Sequence, residues 1–197
     1  MKPGQNFNHP EKGSSIKVEP VKELKDIKMI KKILQDKPRD LCLFVLGINT
    51  NLRASDLLKI KVSQVSHLQP EDELTLKETK TGKARRINLN KVVINSIQRL
   101  LSSTDYNDQD HLFTGQRGQL TVSSVNRLVK QWAGAINLKG NYGAHTLRKT
   151  WGYHQRITFQ RGVPELMVAF NHSSQRETLE YLCIQPEEIK SLYLNEL

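Results

Sequence analysis

The 197-residue chain is short of cysteine, of long apolar runs and of acidic charge, and each shortage removes a class of protein. It has two cysteines, Cys42 inside the apolar stretch Leu41–Leu46 and Cys183 far downstream, with no Cys-x-x-Cys pair and no Cys/His spacing suited to a metal. A disulfide scaffold and a zinc module are thereby excluded, and both thiols read as reduced structural side chains in a reducing compartment. No stretch approaches the roughly 18–20 apolar residues that a membrane-spanning helix needs, and Met1–Pro20 is polar, with no apolar core of a signal segment. A soluble protein with no membrane-spanning segment, cytoplasmic or nucleoid-associated, is expected. Acidic residues are outnumbered, 20 Asp+Glu against 30 Lys+Arg, for a net charge of +10. That balance points to a polyanionic partner, with DNA, RNA and anionic membrane as candidates that charge alone does not separate. The length suits one domain with a proper core and leaves no room for a second large one.

Along the chain, residues 1–20 combine Pro, Gly and Ser with few apolar groups and read as a flexible arm. Val21, Leu24, Ile27, Ile30, Ile33 and Leu34 then recur at helical spacing until Pro38 stops the segment. Arg39–Thr50 reads as a buried helix, and Ala54–Lys61 as a short one with Arg53 at its start. Between Glu73 and Leu89 the period changes. Leu74 and Leu76 alternate with polar residues, Thr81-Gly82 supplies a turn, and Ile87 and Leu89 alternate again, which predicts an antiparallel hairpin with Lys80 near its tip. Lys91–Leu101 and Thr121–Ile136 return to helical period around an acidic loop at Asp105–Asp110. Gly140–Gly143 breaks the chain before a helix that carries His145 and Arg148 on one face, and Pro164 and Pro186 suit helix first turns. The expected fold class is α+β, mostly helical, with a small antiparallel hairpin or sheet.

Against that scaffold four segments stand out: Asn49-Thr-Asn-Leu-Arg53-Ala-Ser-Asp56-Leu-Leu58, Lys80-Thr-Gly-Lys83-Ala-Arg85-Arg86, His145-Thr-Leu-Arg148, and His172 through Tyr181. His172 follows Arg148 by 24 positions and Tyr181 follows His172 by nine. Taken singly, each residue has an ordinary explanation. Arg53 and Asp56 suit a surface i,i+3 ion pair, His-x-x-Arg recurs by chance, and a tyrosine is more often packing or surface, as Tyr106, Tyr142, Tyr153 and Tyr193 are expected to be. The joint match in order and spacing defeats those explanations. Together the segments resemble the catalytic domain of the tyrosine recombinase, or phage integrase, family from about Val21 onward, with Asn51 and Asn171 standing where the family usually has glycine.

The resemblance implies a fold and a mechanism. A phosphodiester gains charge on its non-bridging oxygens as it is attacked, and paired arginines answer that with planar, permanently charged forks. Arg53 and Arg148 are the implied clamps, Tyr181 the nucleophile, His145 its base or hydrogen-bonding partner, His172 a donor to the scissile phosphate, and Lys80 the general acid for the departing 5′-oxygen. No metal or other cofactor is implied. Lys83, Arg85, Arg86 and Lys149 are expected to grip the duplex backbone around the site. The implied activity is site-specific recombination through a 3′-phosphotyrosyl intermediate. Strand relaxation of the type IB topoisomerase kind and a non-cutting DNA-binding regulator are the alternatives. With only some twenty polar residues before the first helix, the helical clamp domain usual in the family is expected to be missing, which shifts affinity onto backbone contacts, tetramer formation and accessory DNA-bending proteins. The tail from Pro186 to Leu197 either folds back onto its own domain or, as the resemblance implies, is exchanged between subunits.

Overall fold

The structure is a computed structural model and describes residues 18–79, 82–182 and 193–194. The expectations for Lys80, Cys183 and the helix opened by Pro186 lie outside the described residues.

The core is built on α2 (Pro38–Asn49), preceded by α1 (Leu24–Ile33). Pro38 occupies the first turn of α2, where its missing N–H costs nothing, so the residue expected to stop one helix also opens the next. Cys42, Leu43, Phe44 and Leu46 of α2 are fully buried, each such apolar side chain contributing about 1.5–3 kcal/mol when withdrawn from water. α2 packs against α4 (Lys91–Leu101) and α6 (Ala144–Ile157). A Cβ on Gly47 would come within 2.6 Å of Leu147 Cδ1, so only glycine lets α2 and α6 approach this closely. Asn90 caps α4 and Thr121 caps α5 (Val122–Ala135) through side-chain oxygens that accept backbone N–H bonds, which explains how closely these two helices follow their sequence patterns.

The expected hairpin is β1 (Glu73–Lys77) paired antiparallel with β2 (Ala84–Asn88), in the register Leu74↔Ile87 and Leu76↔Arg85. Three expectations need correction. The helix expected over Ala54–Lys61 is only α3 (Ala54–Leu57), because Lys61 leaves it to form a bridge with His111. A second hairpin, β3 (Thr114–Gly115) with β4 (Gly118–Gln119), was not expected; its two-residue strands are too short to show alternation. Residues 18–20 are not part of a flexible arm. Pro20 and Val21 are buried, Glu19 N–H donates to Asn141 O and Val21 N–H donates to the Thr150 hydroxyl at 2.9 Å, strapping this segment across α6. Among the described residues no helix is long and apolar enough to cross a membrane.

After α6, α7 (Val163–Phe170) and α8 (Gln175–Leu182) fold back onto it. Leu166, Phe170 and Leu182 form a small separate core with Trp151 and Tyr181. Gly152 is the seam of this packing, since a Cβ there would meet Phe170 Cζ at 2.5 Å and Leu182 Cδ2 at 3.0 Å.

Candidate active site

The start of α6 is fastened by Thr146 of its own first turn and by Asn126 of α5. Thr146 Oγ1 accepts from Gly143 N–H and Asn126 Oδ1 accepts from Ala144 N–H, satisfying donors that a helix leaves unpaired. This fixes the turn that carries His145, which is exposed in a groove lined by Val18, Val122, Asn126 and Arg127. One turn on, Arg148 is 3% exposed. Its Nη2 donates to Phe170 O at 2.9 Å, while among the described residues Nε and Nη1 are buried without a hydrogen-bond partner. Burial chiefly brings its pKa down to about 10, with Arg53 and Arg85 lowering it further and Tyr181 and Glu78 opposing, so Arg148 is still a cation at neutral pH.

The carbonyl that Arg148 grips belongs to the end of α7, which closes in a Schellman arrangement. His172 N–H donates to Met167 O and Asn171 N–H to Val168 O, with Asn171 in the left-handed region at φ 56°. The chain leaves that turn with His172 stacked on Phe170, ring centres 4.9 Å apart, and its Nδ1 3.0 Å from the Thr178 hydroxyl. Ser174 then caps α8 by accepting from Glu177 N–H, the Ser-x-x-Glu spacing of a helix start. Tyr181 follows two turns later. Its ring centre lies 5.5 Å from that of His172, 5.8 Å from Arg148 Cζ and 5.4 Å from Lys149 Nζ.

Arg53 approaches from the other side, at the start of α3. Its Nη1 lies 3.1 Å from Glu78 Oε2 and 3.9 Å from Asp56 Oδ2, so the ordinary i,i+3 pair with Asp56 exists but is the weaker of its two contacts. Glu78 Oε1 accepts from Arg85 Nη1 at 2.8 Å, and Arg85 Nη2 donates to Ala169 O at 2.7 Å. Asn51 Nδ2 donates to the same carbonyl at 2.8 Å. The last carbonyls of α7, electronegative by the helix dipole, thus collect donors from the loop between α2 and α3, from β2 and from α6.

Arg53, Arg148, His172 and Tyr181 are brought together by these contacts, with His145 on the same helix as Arg148 and open to solvent. The basic residues expected on DNA separate into different settings. Arg86 faces out, its side chain 75% exposed beside Glu73, and Lys83 is exposed. Arg85 and Lys149 are turned inward, onto Glu78 and the Tyr181 ring. Tyr106 and Tyr142 donate to the carbonyls of Leu112 and Lys139, packing roles as expected. Glu78, Phe170 and Thr178 were missed by sequence reasoning. Glu78 left a signal: it continues the inward parity of Leu74 and Leu76, and a carboxylate in that register needs partners.

A sequence model described as the phage integrase family matches residues 20–188. The chain belongs to that family. A probable integrase/recombinase, YoeC of Bacillus subtilis (strain 168), is 34% identical over 89% of this chain and 95% of its own length. Other curated tyrosine recombinases are matched over 32–56% of their length. A crystal structure of XerA recombinase superposes with a TM-score of 0.73 at 16% identity, covering 98% of this chain and 68% of that one. XerH site-specific recombinase, bound to its palindromic difH substrate in a post-cleavage complex, superposes with a TM-score of 0.71 at 20% identity over 93% of this chain and 55% of that one. At such identities the likeness establishes the tyrosine recombinase catalytic-domain fold. In this phage integrase family member the two asparagines at usual glycine positions both adopt left-handed backbone, φ 55° at Asn51 and φ 56° at Asn171. Asparagine is the side chain best suited after glycine to that conformation, so the departures keep the backbone they replace.

Proposed function

We propose that this protein is a site-specific DNA recombinase that cuts and rejoins strands through a 3′-phosphotyrosyl link formed on Tyr181. The observation that carries this reading is Arg148: a buried guanidinium with Nε and Nη1 unsatisfied among the described residues, 5.8 Å from the ring of a tyrosine. Buried donors without partners are costly. Anionic phosphate oxygens are acceptors suited to such charged donors. A phosphate seated on Arg148 lies beside the Tyr181 ring, which supports Tyr181 as the nucleophile.

The chemistry then follows from the residues. Tyr181 Oη attacks phosphorus as its proton passes toward His145, whose exposed ring is in exchange with solvent. Arg148 and Arg53 hold the non-bridging oxygens, and His172, oriented by the contact of its Nδ1 with the Thr178 hydroxyl, gives a hydrogen bond to the phosphate through Nε2. The bond to the 5′-oxygen breaks, and that oxygen takes a proton from Lys80. The 5′-hydroxyl of a partner duplex attacks the phosphotyrosine and reverses the step.

We assign the catalytic domain to residues 21–197, acting on duplex DNA in the cytoplasm, as a tetramer on its site and with accessory DNA-bending proteins. Arg86 and Lys83 are backbone contacts, whereas Arg85 and Lys149 support the site from within. Tyr193 and Leu194 of the tail are 85% and 70% exposed, which suits a segment donated to a neighbouring subunit. Deleting Glu187–Leu197 is expected to leave DNA binding and to abolish higher-order complexes. The test of the activity is a nicked suicide duplex carrying the recombination site. A covalent adduct whose labelled DNA maps to the Tyr181 peptide, with a free 5′-hydroxyl on the released strand, is expected. Cleavage leaving a 5′-linked adduct, or none on a site the protein binds, contradicts the proposal.

A further inference from the structure

The hairpin expected to present the general acid is held by two buried carboxylates, Glu78 of the hairpin itself and Asp56 of α3. Glu78 is 3% exposed and lies just past the end of β1, two residues before Lys80. Its backbone closes the tip: Glu78 N–H donates to Lys83 O at 2.9 Å and Glu78 O accepts from Gly82 N–H at 2.9 Å. Its side chain accepts a hydrogen bond from Arg85 Nη1 at 2.8 Å and forms an ion pair with Arg53 Nη1 at 3.1 Å that is not aligned as a hydrogen bond. The next residue is anchored too, Thr79 N–H donating to Asp56 Oδ1 at 2.9 Å. The two residues that lead into Lys80 are therefore both fastened to the segment that carries Arg53. Arg85 extends the chain of contacts to Ala169 O, at the end of the helix that leads into His172.

From this geometry we infer that Glu78 is a positioning residue that couples the phosphate clamp Arg53 to the delivery of the Lys80 proton. The inference rests on the roles proposed above for Arg53 and Lys80. A carboxylate held between two guanidiniums at such low exposure is far less screened than a surface pair, so it fixes both partners in place. The fork of Arg53 keeps further N–H donors for a phosphate while Nη1 remains on Glu78. A phosphate seated on Arg53 is then registered, through Glu78 and Thr79, to the backbone that immediately precedes Lys80 in sequence. Loss of the carboxylate leaves that root held only by its backbone bonds and by Thr79 on Asp56, uncoupled from Arg53 and Arg85, and misplacement of about an ångström is enough to cost on the order of 10²-fold in rate.

The test separates proton delivery from phosphate binding. Single-turnover cleavage is measured for Glu78→Gln on an ordinary suicide duplex and on one whose bridging 5′-oxygen is sulfur, a leaving group that departs without a proton. The expected result is a loss of about 10²-fold on oxygen, with the rate on sulfur returning to within about tenfold of the unaltered protein's. Lys80→Ala on the same two duplexes is the control. If Lys80→Ala is rescued by sulfur and Glu78→Gln is not, Glu78 acts only through the clamp or the fold and the inference is overturned while the proposed function stands. If neither is rescued, the general-acid assignment fails and takes the inference with it. Unchanged cleavage of the oxygen duplex by Glu78→Gln overturns the inference as well. Should the single variant not fold, Glu78→Gln with Arg85→Gln replaces the pair by a neutral one of similar shape, and the same rescue by sulfur is expected of it.

Discussion

The guanidinium carbon of Arg148 stands 5.8 Å from the centre of the Tyr181 ring, with Phe170 in contact with both. Arg148 on α6 and Tyr181 on α8 meet only because Gly152 lets Phe170 and Leu182 lie directly against α6. Removing the Arg148 fork should slow cleavage by about 10²–10³-fold, the usual loss for one charge-stabilising donor set. Arg148→Lys keeps a cation but not the bidentate geometry, so it should recover little of that loss. Single-turnover adduct formation measures both, and a rate within a few-fold of wild type for Arg148→Ala would show that no phosphate rests there.

Gly152→Ala tests how Tyr181 is held. The new methyl would lie 2.5 Å from Phe170 Cζ and 3.0 Å from Leu182 Cδ2, so α8 must shift outward. Overpacking of this kind costs about 1–3 kcal/mol, and a lowered midpoint in urea with reduced cleavage is expected. Wild-type stability and rate together would mean that α8 is not seated as described.

At Asn171 the direction of change depends on the backbone. Glycine accepts φ 56° without strain, so Asn171→Gly is expected to leave stability and cleavage unchanged or slightly raised. Asn171→Val places a β-branched side chain in the left-handed region, at a cost of about 1–3 kcal/mol, and displaces His172. Thermal midpoints and cleavage rates of the two variants should move apart; equal effects would remove the turn from the account.

His154 gives a pH dependence. Its Nε2 donates to Val21 O at 3.0 Å and its Nδ1 takes the Thr158 hydroxyl at 2.7 Å, while burial lowers its pKa below the ordinary histidine value. The unfolded chain therefore takes up this proton first as pH falls. Stability should drop as pH is lowered from neutrality through about 6.5 and below, with a slope of at most about 1.4 kcal/mol per pH unit for one proton. His154→Gln should flatten that part of the curve. An equally steep profile in the variant would assign the slope to another group.

Much of this was legible because local rules and tertiary packing agree. Asn90 and Thr121 cap helices whose apolar spacing is regular, and Leu74, Leu76 and Ile87 alternate across a hairpin that pairs them in register. The segments bearing Arg53, Arg148, His172 and Tyr181 were recognisable by order and spacing. What the sequence hid is set by long-range partners. Arg85 and Arg86 are neighbours of like charge, yet the register opposite Leu76 turns Arg85 inward and leaves Arg86 in solvent. The strap at Glu19–Val21 depends on Asn141 and Thr150, more than a hundred residues away. Asn171 reads as a departure in sequence and, in the fold, takes a left-handed backbone that glycine also accepts.

The most direct measurement of the central claim is covalent capture by Tyr181→Phe beside the unaltered protein on a nicked suicide duplex. The variant loses one hydroxyl from a half-buried ring that still packs on Phe170, so thermal stability and binding to the duplex should stay close to wild type while the denaturant-resistant adduct disappears. An adduct that persists in Tyr181→Phe would place the nucleophile elsewhere and contradict the account.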